Sequence, residues 1–425
     1  MNLLQRGWRA VVGAFAVRSR QVLLFAALAG ALTGFGVAFF ETIVVELLLD
    51  HLMELPIWAL ALMPMVGLAV AALSLHLLGA TTPPTTDSYL RAFHDPDEPL
   101  EARTVPARIL AAIATLGFGG AMGLEGPSLY LGASIGATIQ RRFFREIDHR
   151  VLMVAGAAAG VAAIFKAPAT GAVFALEVPY QDDFARKMLL PALVAAASGY
   201  LAFVTIHGTT PLIPSHGSPA LSAADLVGSI VLGLAAGLVA RAFAALLRLA
   251  KDLAQNSRVW VRVVVAGAVL AALAWISDAL ADEPATIGIG YHTIAWALEP
   301  RRAVWLVLAI MLLRCLATAA TVSGGGVGGL FIPLVVTGAL LGRAAGAAFP
   351  GLDDNLAVIV GVAAVLGAGY RVPLAAVVFV AEATGRPGFI VPALLAAVAA
   401  DLMMGRHSVT AYQHPSTVTA GSDEG

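Results

Sequence analysis

Glu125 is the residue with the clearest capacity for chemistry in this sequence. It stands in the pentapeptide Gly123–Pro127 (GLEGP), at the predicted start of an apolar helix. An ionised carboxylate inside a bilayer costs at least ~2.5 kcal/mol and is usually functional. Pro127 suits the first turn of a helix, where its missing N–H would have no partner, and Gly126 lets the backbone approach a ligand closely.

A helix that begins here directs free N–H groups and about half a positive charge at the space before it, which suits an anion. The same groups would stabilise ionised Glu125, so its carboxylate can compete with an anion for one site. Protonation weakens that hold and frees the path, which predicts a pH-dependent gate. The alternative is that Glu125 only caps its own helix.

A second pentapeptide, Gly329–Pro333 (GLFIP), offers the same arrangement without the carboxylate. Two such helix starts that converge would bind a halide by partial charges, which release the ion more readily than a full Lys or Arg charge would. The alternative is Gly-rich packing between helices, which is common in membranes. The duplication of the motif favours the anion site.

The two pentapeptides belong to an internal repeat. Pro127 and Pro333 are 206 positions apart, and Glu177 and Glu382 are 205 apart. The matching segments are 123–136 with 329–342, and 166–177 with 371–382. We therefore divide the chain into two related halves, residues 22–208 and 222–405.

Two further pairs of charged residues recur in this repeat. Glu177 and Glu382 lie in apolar helices, and we expect them to be structural, bonding loop amides. Lys166 and Arg371 precede prolines at helix starts, where positive charge opposes the helix dipole. These two either line an anion vestibule or extend their charged ends toward the membrane surface.

The composition is that of a bilayer protein. Hydrophobic residues make up 59% of the 425 residues and charged residues 12%, against roughly 25% charged in a soluble domain. The net charge of −1 gives no reason to expect a nucleic-acid partner. Cys315 is the only cysteine, which excludes an internal disulfide. The histidines show no metal-ligand spacing and hydrolase motifs are absent, so we expect no metal, no cofactor and no enzyme activity.

Two uncharged segments, Val22–Phe40 and Leu55–Gly79, are long enough to cross a ~30 Å hydrocarbon core. Met188–His216 could also span. Other uncharged runs, such as Val263–Ser277, are shorter, which predicts helices that start or stop inside the membrane. Broken helices are tolerated where their free ends face a cavity, and such ends are candidate ion sites.

The ends of the chain are expected to be simple. Residues 1–21 carry Arg6, Arg9, Arg18 and Arg20 without an acidic residue, and we interpret them as an amphipathic helix on the cytoplasmic surface. Residues 22–405 form one transmembrane domain, and residues 406–425 are a short tail. The protein is thus expected to be a multi-pass protein of the inner or plasma membrane, with a cytoplasmic N-terminus.

These motifs together resemble the CLC family of chloride channels and transporters. The family's Gly-[Arg/Lys]-Glu-Gly-Pro is similar to Gly123–Pro127, and its Gly-x-Phe-x-Pro to Gly329–Pro333. Its closing Arg-Ala-Pro-Leu-Thr-Gly…Leu-Glu-Met-Thr is similar to Arg371–Thr384. The resemblance implies an all-α integral membrane fold, an inverted-repeat bundle with many tilted and broken helices. It also implies a homodimer in lipid, with one pore in each subunit.

The resemblance further implies which residues contact chloride or a similar small anion. Glu125 would be the external gating glutamate. The amides that hold the central anion would lie near Glu125 itself and near Leu124, Gly126, Leu330 and Phe331.

Three departures from the family pattern affect this anion site. Leu124 replaces the basic residue before the gating glutamate. The family's Gly-Ser-Gly-Ile-Pro, whose Ser contacts the anion, is replaced around Ala80–Pro84, where Thr81 or Thr82 could supply the hydroxyl. The family's late anion-contacting Tyr has no clean equivalent: Thr410 or Val409 lies near its place and Tyr412 comes two or three residues later.

A fourth departure concerns mechanism. Val178 stands where exchangers of the family have an internal, proton-passing glutamate. Valine cannot accept a proton, so the sequence favours passive anion conduction gated by Glu125. The alternative is a proton-coupled antiporter of the same fold, with protons as a second substrate. A membrane-embedded enzyme and an organic-anion transporter are more distant alternatives.

Overall fold

The computed structural model describes residues 3–80, 85–213, 221–299, 302–349 and 351–415, and helices connected by loops make up this part of the chain. The helices of the first half are α1 (Leu3–Glu41), a π-helical segment (Thr42–Leu49), α2 (Asp50–Met53), α3 (Ile57–Leu60), α4 (Met63–Leu77), α5 (Thr85–His94), α6 (Val105–Gly117), α7 (Glu125–Phe143), α8 (Arg150–Phe165), α9 (Pro168–Glu177) and α10 (Leu189–His207). Those of the second half are α11 (Ala223–Asn256), α12 (Val259–Ala281), α13 (Tyr291–Leu298), α14 (Val304–Ser323), α15 (Phe331–Ala348), α16 (Asp354–Tyr370), α17 (Pro373–Thr384) and α18 (Ile390–Met404).

Eight helical stretches of the described chain are long and apolar enough to cross a membrane. The number of spans predicted from uncharged runs was therefore wrong, because several of the spanning helices contain charged residues. The run Val263–Ser277, for example, belongs to the longer helix Val259–Ala281, which contains Arg262 and Asp278. The Arg262 guanidinium donates a hydrogen bond to the Ala254 carbonyl near the end of α11, so the charged group contacts protein and not lipid.

The first helix also differs from its prediction. We expected a surface helix over residues 1–21 followed by a separate span, whereas α1 runs without a break from Leu3 to Glu41. This stretch contains no proline, and its arginines favour helix, so nothing in it ends the first segment. The cytoplasmic position of the N-terminus stays a prediction.

Two helices are as short as predicted, α9 with 10 residues and α17 with 12, and each is capped by the other half of the chain. The Glu382 carboxylate accepts hydrogen bonds from Ala169 N at 2.9 Å and Thr170 N at 2.7 Å, at the start of α9. The Glu177 carboxylate accepts from Leu374 N at 3.1 Å and Ala375 N at 2.7 Å, at the start of α17.

Both glutamates are thus structural, as expected, but they bind helix starts rather than loop amides. Each occupies the positive end of a helix dipole, where a carboxylate is favoured. The exchange of caps joins the two halves inside the protein.

The basic pair is equally symmetric. Lys166 and Arg371 end α8 and α16 in the left-handed conformation, with φ of 52° and 56°. Lys166 Nζ donates to His207 O at 2.9 Å, and Arg371 donates to Gly405 O. Each cation therefore binds the C-terminus of the last helix in its own repeat, where positive charge is favourable. The structure thus gives both cations a backbone partner, which neither predicted alternative included.

Glycines let the central helices of each repeat touch backbone to backbone. A Cβ on Gly156 of α8 would lie 2.0 Å from Gly132 O of α7, and one on Gly132 would lie 2.1 Å from Gly156 O. The second repeat has the same contact between Gly338 and Gly361, at 2.4 and 2.3 Å. Small residues are the usual means of close helix packing in membranes. The helices that carry the two pentapeptides are thereby held rigidly against their neighbours.

We predict that Gly156→Ala lowers stability by about 1–3 kcal/mol, because the added methyl group forces α7 and α8 apart. The thermal unfolding midpoint of the detergent-solubilised protein measures this. Gly388→Ala is the matched control, since a Cβ there meets no atom within 4 Å. Equal midpoints for the two variants would contradict the close packing.

Candidate functional site

The two pentapeptides meet in the middle of the protein. Gly123 N donates to Gly329 O at 2.9 Å, and Gly329 N donates to Gly123 O at 2.7 Å, which forms an isolated antiparallel bridge. A reciprocal exchange between equivalent residues is the contact that a local two-fold axis produces. The structure therefore places the starts of α7 and α15 side by side, related by this internal two-fold.

The Glu125 carboxylate lies between these helix starts and is 2% exposed. Its Oε1 accepts a hydrogen bond of 2.6 Å from Phe331 N, and the Ile332 N–H also faces it. A Cβ on Gly329 would lie 1.9 Å from Oε1, and one on Gly123 would lie 1.9 Å from Oε2. The carboxylate therefore caps the helix of the opposite repeat, in a space that exists because both flanking residues are glycines.

The backbone around this carboxylate is arranged for negative charge. The first intrahelical bond of α7 runs from Ser128 N to Leu124 O at 3.2 Å, so the N–H groups of Glu125 and Gly126 precede it. Leu124 and Gly126 are buried, as is Phe331. Oε2 of Glu125 has no hydrogen-bond partner among the described residues. Amides from the starts of α7 and α15 thus lie around the Glu125 carboxylate, of which only Oε1 accepts a hydrogen bond among the described residues.

A cavity of about 410 Å³ reaches Leu330, the residue that precedes α15. The Leu330 N–H and the Thr86 side chain lie beside the Tyr370 hydroxyl. Tyr370 is 1% exposed and Thr86 is 8% exposed, so this group of polar atoms lies at the inner end of the cavity. The cavity is lined by Thr86, Asp87, Arg91, Met122, Lys251, Ala254, Gln255, Arg262, Val322, Gly326, Gly328, Leu330, Tyr370, Thr410, Ala411 and Tyr412.

The sequence interpretation missed Thr86 and Tyr370. Tyr370 is the last residue of α16, and a hydroxyl at the end of an otherwise apolar helix is the signal that could have identified it. Thr86 lies in the first turn of α5, a few residues beyond Thr81 and Thr82. Thr81 and Thr82 themselves lie outside the described residues.

Three residues predicted for the anion path, Leu330, Thr410 and Tyr412, border the cavity, whereas Leu124, Gly126 and Phe331 are not part of its lining. Leu330 and Thr410 line it, and the Thr410 hydroxyl pairs with Ser408 Oγ at 3.0 Å. Tyr412 is 39% exposed, and the Arg91 guanidinium lies 5.1 Å from the centre of its ring. Tyr412 therefore stands among the charged side chains of the cavity, away from the buried group around Tyr370.

The cavity is electropositive. Arg91, Lys251 and Arg262 line it; Asp87 binds Lys251 at 2.8 Å and Glu98 lies 3.6 Å from Arg91, so the three cations face two carboxylates. The Nε atoms of Arg91 and Arg262 are buried and have no hydrogen-bond partner among the described residues. A cleft of one sign concentrates ions of the other. Leu124 adds no positive charge beside Glu125. The basic side chains line the cavity instead.

Val178 is buried at the end of α9, but titratable groups lie next to it. His94 Nε2 donates to Pro179 O at 2.7 Å, and the His94 ring stacks on His414 with centroids 3.9 Å apart. Burial lowers the pKa of His94, opposed by its hydrogen bond to Pro179, and the charges of His414 and Arg150 lower this pKa further. The apolar residue is thus flanked by a histidine pair.

Known proteins are similar to this chain in sequence and in architecture. Residues 81–405 match the family described as voltage gated chloride channel. The H(+)/Cl(-) exchange transporters ClcA of Salmonella typhi and of Citrobacter koseri are each 29% identical over 409 residues, which cover 90% of this chain and 85% of each relative.

Solved structures show the same fold. A CLC-type fluoride/proton antiporter superposes with a TM-score of 0.79 and 25% identity, covering 93% of this chain and 98% of that one. A slow cyanobacterial Cl-/H+ antiporter gives a TM-score of 0.77 at 21% identity, covering 90% and 94% of the two chains. The predicted all-α, multi-pass CLC fold with inverted repeats is confirmed. This chain belongs to the voltage gated chloride channel (CLC) family, whose members are anion transporters and not enzymes.

Proposed function

We propose that this protein exchanges chloride for protons across the membrane, with Glu125 as the group that both anion and proton act upon. The observation that carries the proposal is the position of the Glu125 carboxylate, which occupies the amide-lined space at the start of α15. The similar ClcA proteins are exchange transporters by name. Proton coupling therefore replaces passive conduction, which Val178 favoured, as the preferred mechanism.

The geometry gives the coupling a direct physical basis. Ionised Glu125 accepts a charge-assisted hydrogen bond from the Phe331 N–H, the kind that is roughly twice as strong as a neutral one. An anion that needs the same amides must displace this carboxylate. Protonation removes its charge and weakens its hold, so binding of a proton and release of the site go together.

The cavity supplies the anion from one side. Arg91, Lys251 and Arg262 raise the local anion concentration, and the group formed by Leu330, Thr86 and Tyr370 offers polar hydrogens at the inner end. We assign to Thr86 and Tyr370 the hydroxyl contacts that the family pattern gives to Ser and Tyr. Thr410 and Tyr412 then belong to the entrance.

Protons need acceptors on both sides of Glu125. On the side of Val178, the pair His94 and His414 offers titratable nitrogens beside the α9 terminus, which supports exchange although the usual glutamate is replaced. Passive anion conduction is the second candidate, and buried Val178 is the observation that favours it.

The proposal includes the setting of the protein. The arginines at positions 6, 9, 18 and 20 support a cytoplasmic N-terminus in an inner or plasma membrane. Association of two copies, each with its own path, follows from the family resemblance and stays a prediction.

We predict that chloride flux in reconstituted vesicles moves protons in the opposite direction. A pH gradient at fixed chloride should therefore shift the reversal potential, because each transport cycle also transfers protons. Simultaneous chloride and pH electrode recordings measure the ratio of the two fluxes. A reversal potential that stays at the chloride equilibrium value would establish the channel mechanism instead.

We predict that Glu125→Gln abolishes proton flux and leaves chloride flux that no longer depends on pH. The neutral amide cannot carry a proton and competes weakly for the Phe331 N–H. Loss of a proton-transferring group typically costs about 10²–10⁴-fold in rate. Glu283→Gln, a change at an exposed carboxylate, is the control. An unchanged pH response of chloride flux in Glu125→Gln would remove Glu125 from the gate.

We predict that Tyr370→Phe weakens chloride binding about fivefold, since one hydrogen bond contributes about 1 kcal/mol. Calorimetric titration of the purified protein with chloride gives the Kd. Tyr412→Phe is the matched control, because phenylalanine keeps the ring that faces Arg91. The assignment is reversed if Tyr412→Phe loses affinity and Tyr370→Phe does not.

A further inference from the structure

A second group of ionisable residues lies in the membrane domain, apart from Glu125 and the cavity. Glu41 and Glu46 come from the first span and His207 from the end of α10. Glu41 Oε2 lies 3.1 Å from His207 Nε2, and Glu46 Oε1 lies 3.5 Å from His207 Nδ1. One imidazole therefore stands between two carboxylates, with one facing each ring nitrogen.

An unusual backbone brings the two glutamates together. Residues five apart on an α-helix are separated by about 140° around its axis. The chain is π-helical from Thr42 to Leu49, with hydrogen bonds from i to i+5, so Glu41 and Glu46 come onto one face. π-Helical turns are rare and occur frequently at functional sites. Here the turn serves to direct both carboxylates at His207.

The hydrogen bonds define what each nitrogen can do. His207 Nε2 lies 3.1 Å from Ala38 O, a carbonyl that can only accept, so this nitrogen carries a hydrogen. Nδ1 is then the nitrogen that is open to a proton, and it faces Glu46. Glu41 Oε2 is buried, and no hydrogen bond to it is aligned among the described residues.

Glu46 is the exposed member of the group, at 55%, whereas Glu41 is 21% exposed and His207 is 9% exposed. Beyond Glu41, the phenol of Tyr291 interacts electrostatically with both Glu41 and Glu125. Tyr291 is therefore the ionisable group that lies between the charges of this group and of Glu125.

The internal symmetry places this group opposite the cavity. Tyr291 begins α13 and Thr85 begins α5, and these equivalent helix starts are 206 positions apart. Thr86, the neighbour of Thr85, lines the cavity. Because the repeats are inverted, the surroundings of Tyr291 belong to the other side of the membrane from the surroundings of Thr86.

We infer that Glu46, His207 and Glu41 form a proton relay between the solution and Glu125, on the membrane side opposite the electropositive cavity. The inference rests on the proposed exchange of protons. A proton passes from the Glu46 carboxyl to Nδ1, and the imidazolium releases its Nε2 proton to Glu41 Oε2. From Glu41 the proton passes on toward Glu125, with the Tyr291 phenol between their charges, and rotation of the imidazole restores the first tautomer.

The neighbouring charges fit this role. Glu41 interacts electrostatically with the positive charge of Lys166 and the negative charge of Asp50. Thr42 Oγ1 lies 3.3 Å from His207 Nε2. Glutamate and histidine are also metal ligands, and the three ligand atoms lie within 4.8 Å of one another. The two carboxylates face opposite ring nitrogens, however, and an ammonium group lies nearby. This arrangement suits protons on the imidazole better than a single cation.

Simultaneous chloride and proton flux from vesicles that contain the full-length protein tests the relay. Glu41→Gln and His207→Gln are each expected to lower the proton flux at least about tenfold, while chloride flux persists with an altered ratio of the two ions. Glu54→Gln, an exposed carboxylate farther along the same stretch, is the matched control and should keep the wild-type ratio. Persisting chloride flux shows that each variant is folded.

The outcomes separate the relay from the proposed function. Wild-type protein that moves chloride without protons would overturn both. Coupled wild-type transport, together with an unchanged flux ratio and pH profile in Glu41→Gln and His207→Gln, would overturn the relay alone. If a variant loses both fluxes, Glu41→Asp provides the second measurement: recovered coupling supports the relay, and chloride flux recovered without protons overturns it, because a carboxylate at this position then does not pass protons.

Discussion

The structure depends on the attraction between one buried carboxylate and the amide ends of two helices. Glu125 lies where α7 and α15 begin, and the bridge between Gly123 and Gly329 holds these ends together. Away from water, such partial charges act with little screening. A single negative charge is therefore favoured there, and two are not. In the exchange that we propose, this exclusion links a bound anion to the protonation of Glu125.

The rest of the architecture makes that small space rigid. Glycine contacts hold α7 to α8 and α15 to α16, and Lys166 and Arg371 tie the ends of α8 and α16 to α10 and α18. These glycine contacts and cation–carbonyl bonds each occur twice, because the two repeats have the same fold. The residues to which we assign functions are the exceptions to the symmetry: Glu125 has Phe331 as its counterpart, and we place the glutamate–histidine group opposite the basic cavity.

The sequence predicted what depends on local pattern. The repeat, the Gly-rich helix starts and Glu125 were identified from spacing alone, because proline and glycine have strong positional preferences. The predicted number of spans was wrong, since charged residues such as Arg262 lie inside spanning helices and bond to protein rather than face lipid. Thr86 and Tyr370 were missed because their meeting with Leu330 is a tertiary contact. His207 gave no signal either, since a π-helical turn has no sequence signature comparable to a proline or a capping residue.

The crossed caps of α9 and α17 have a consequence for how the protein is made. The amide of Thr170 finds its carboxylate 212 positions later in the chain. At about 5–20 residues per second, a ribosome needs roughly 10–40 s to deliver that partner. Until then, the short helix α9 has exposed donors in a nascent chain already entering the bilayer. Biogenesis therefore requires a holding state, supplied by lipid headgroups, water or insertion machinery, in which the first half waits for the second.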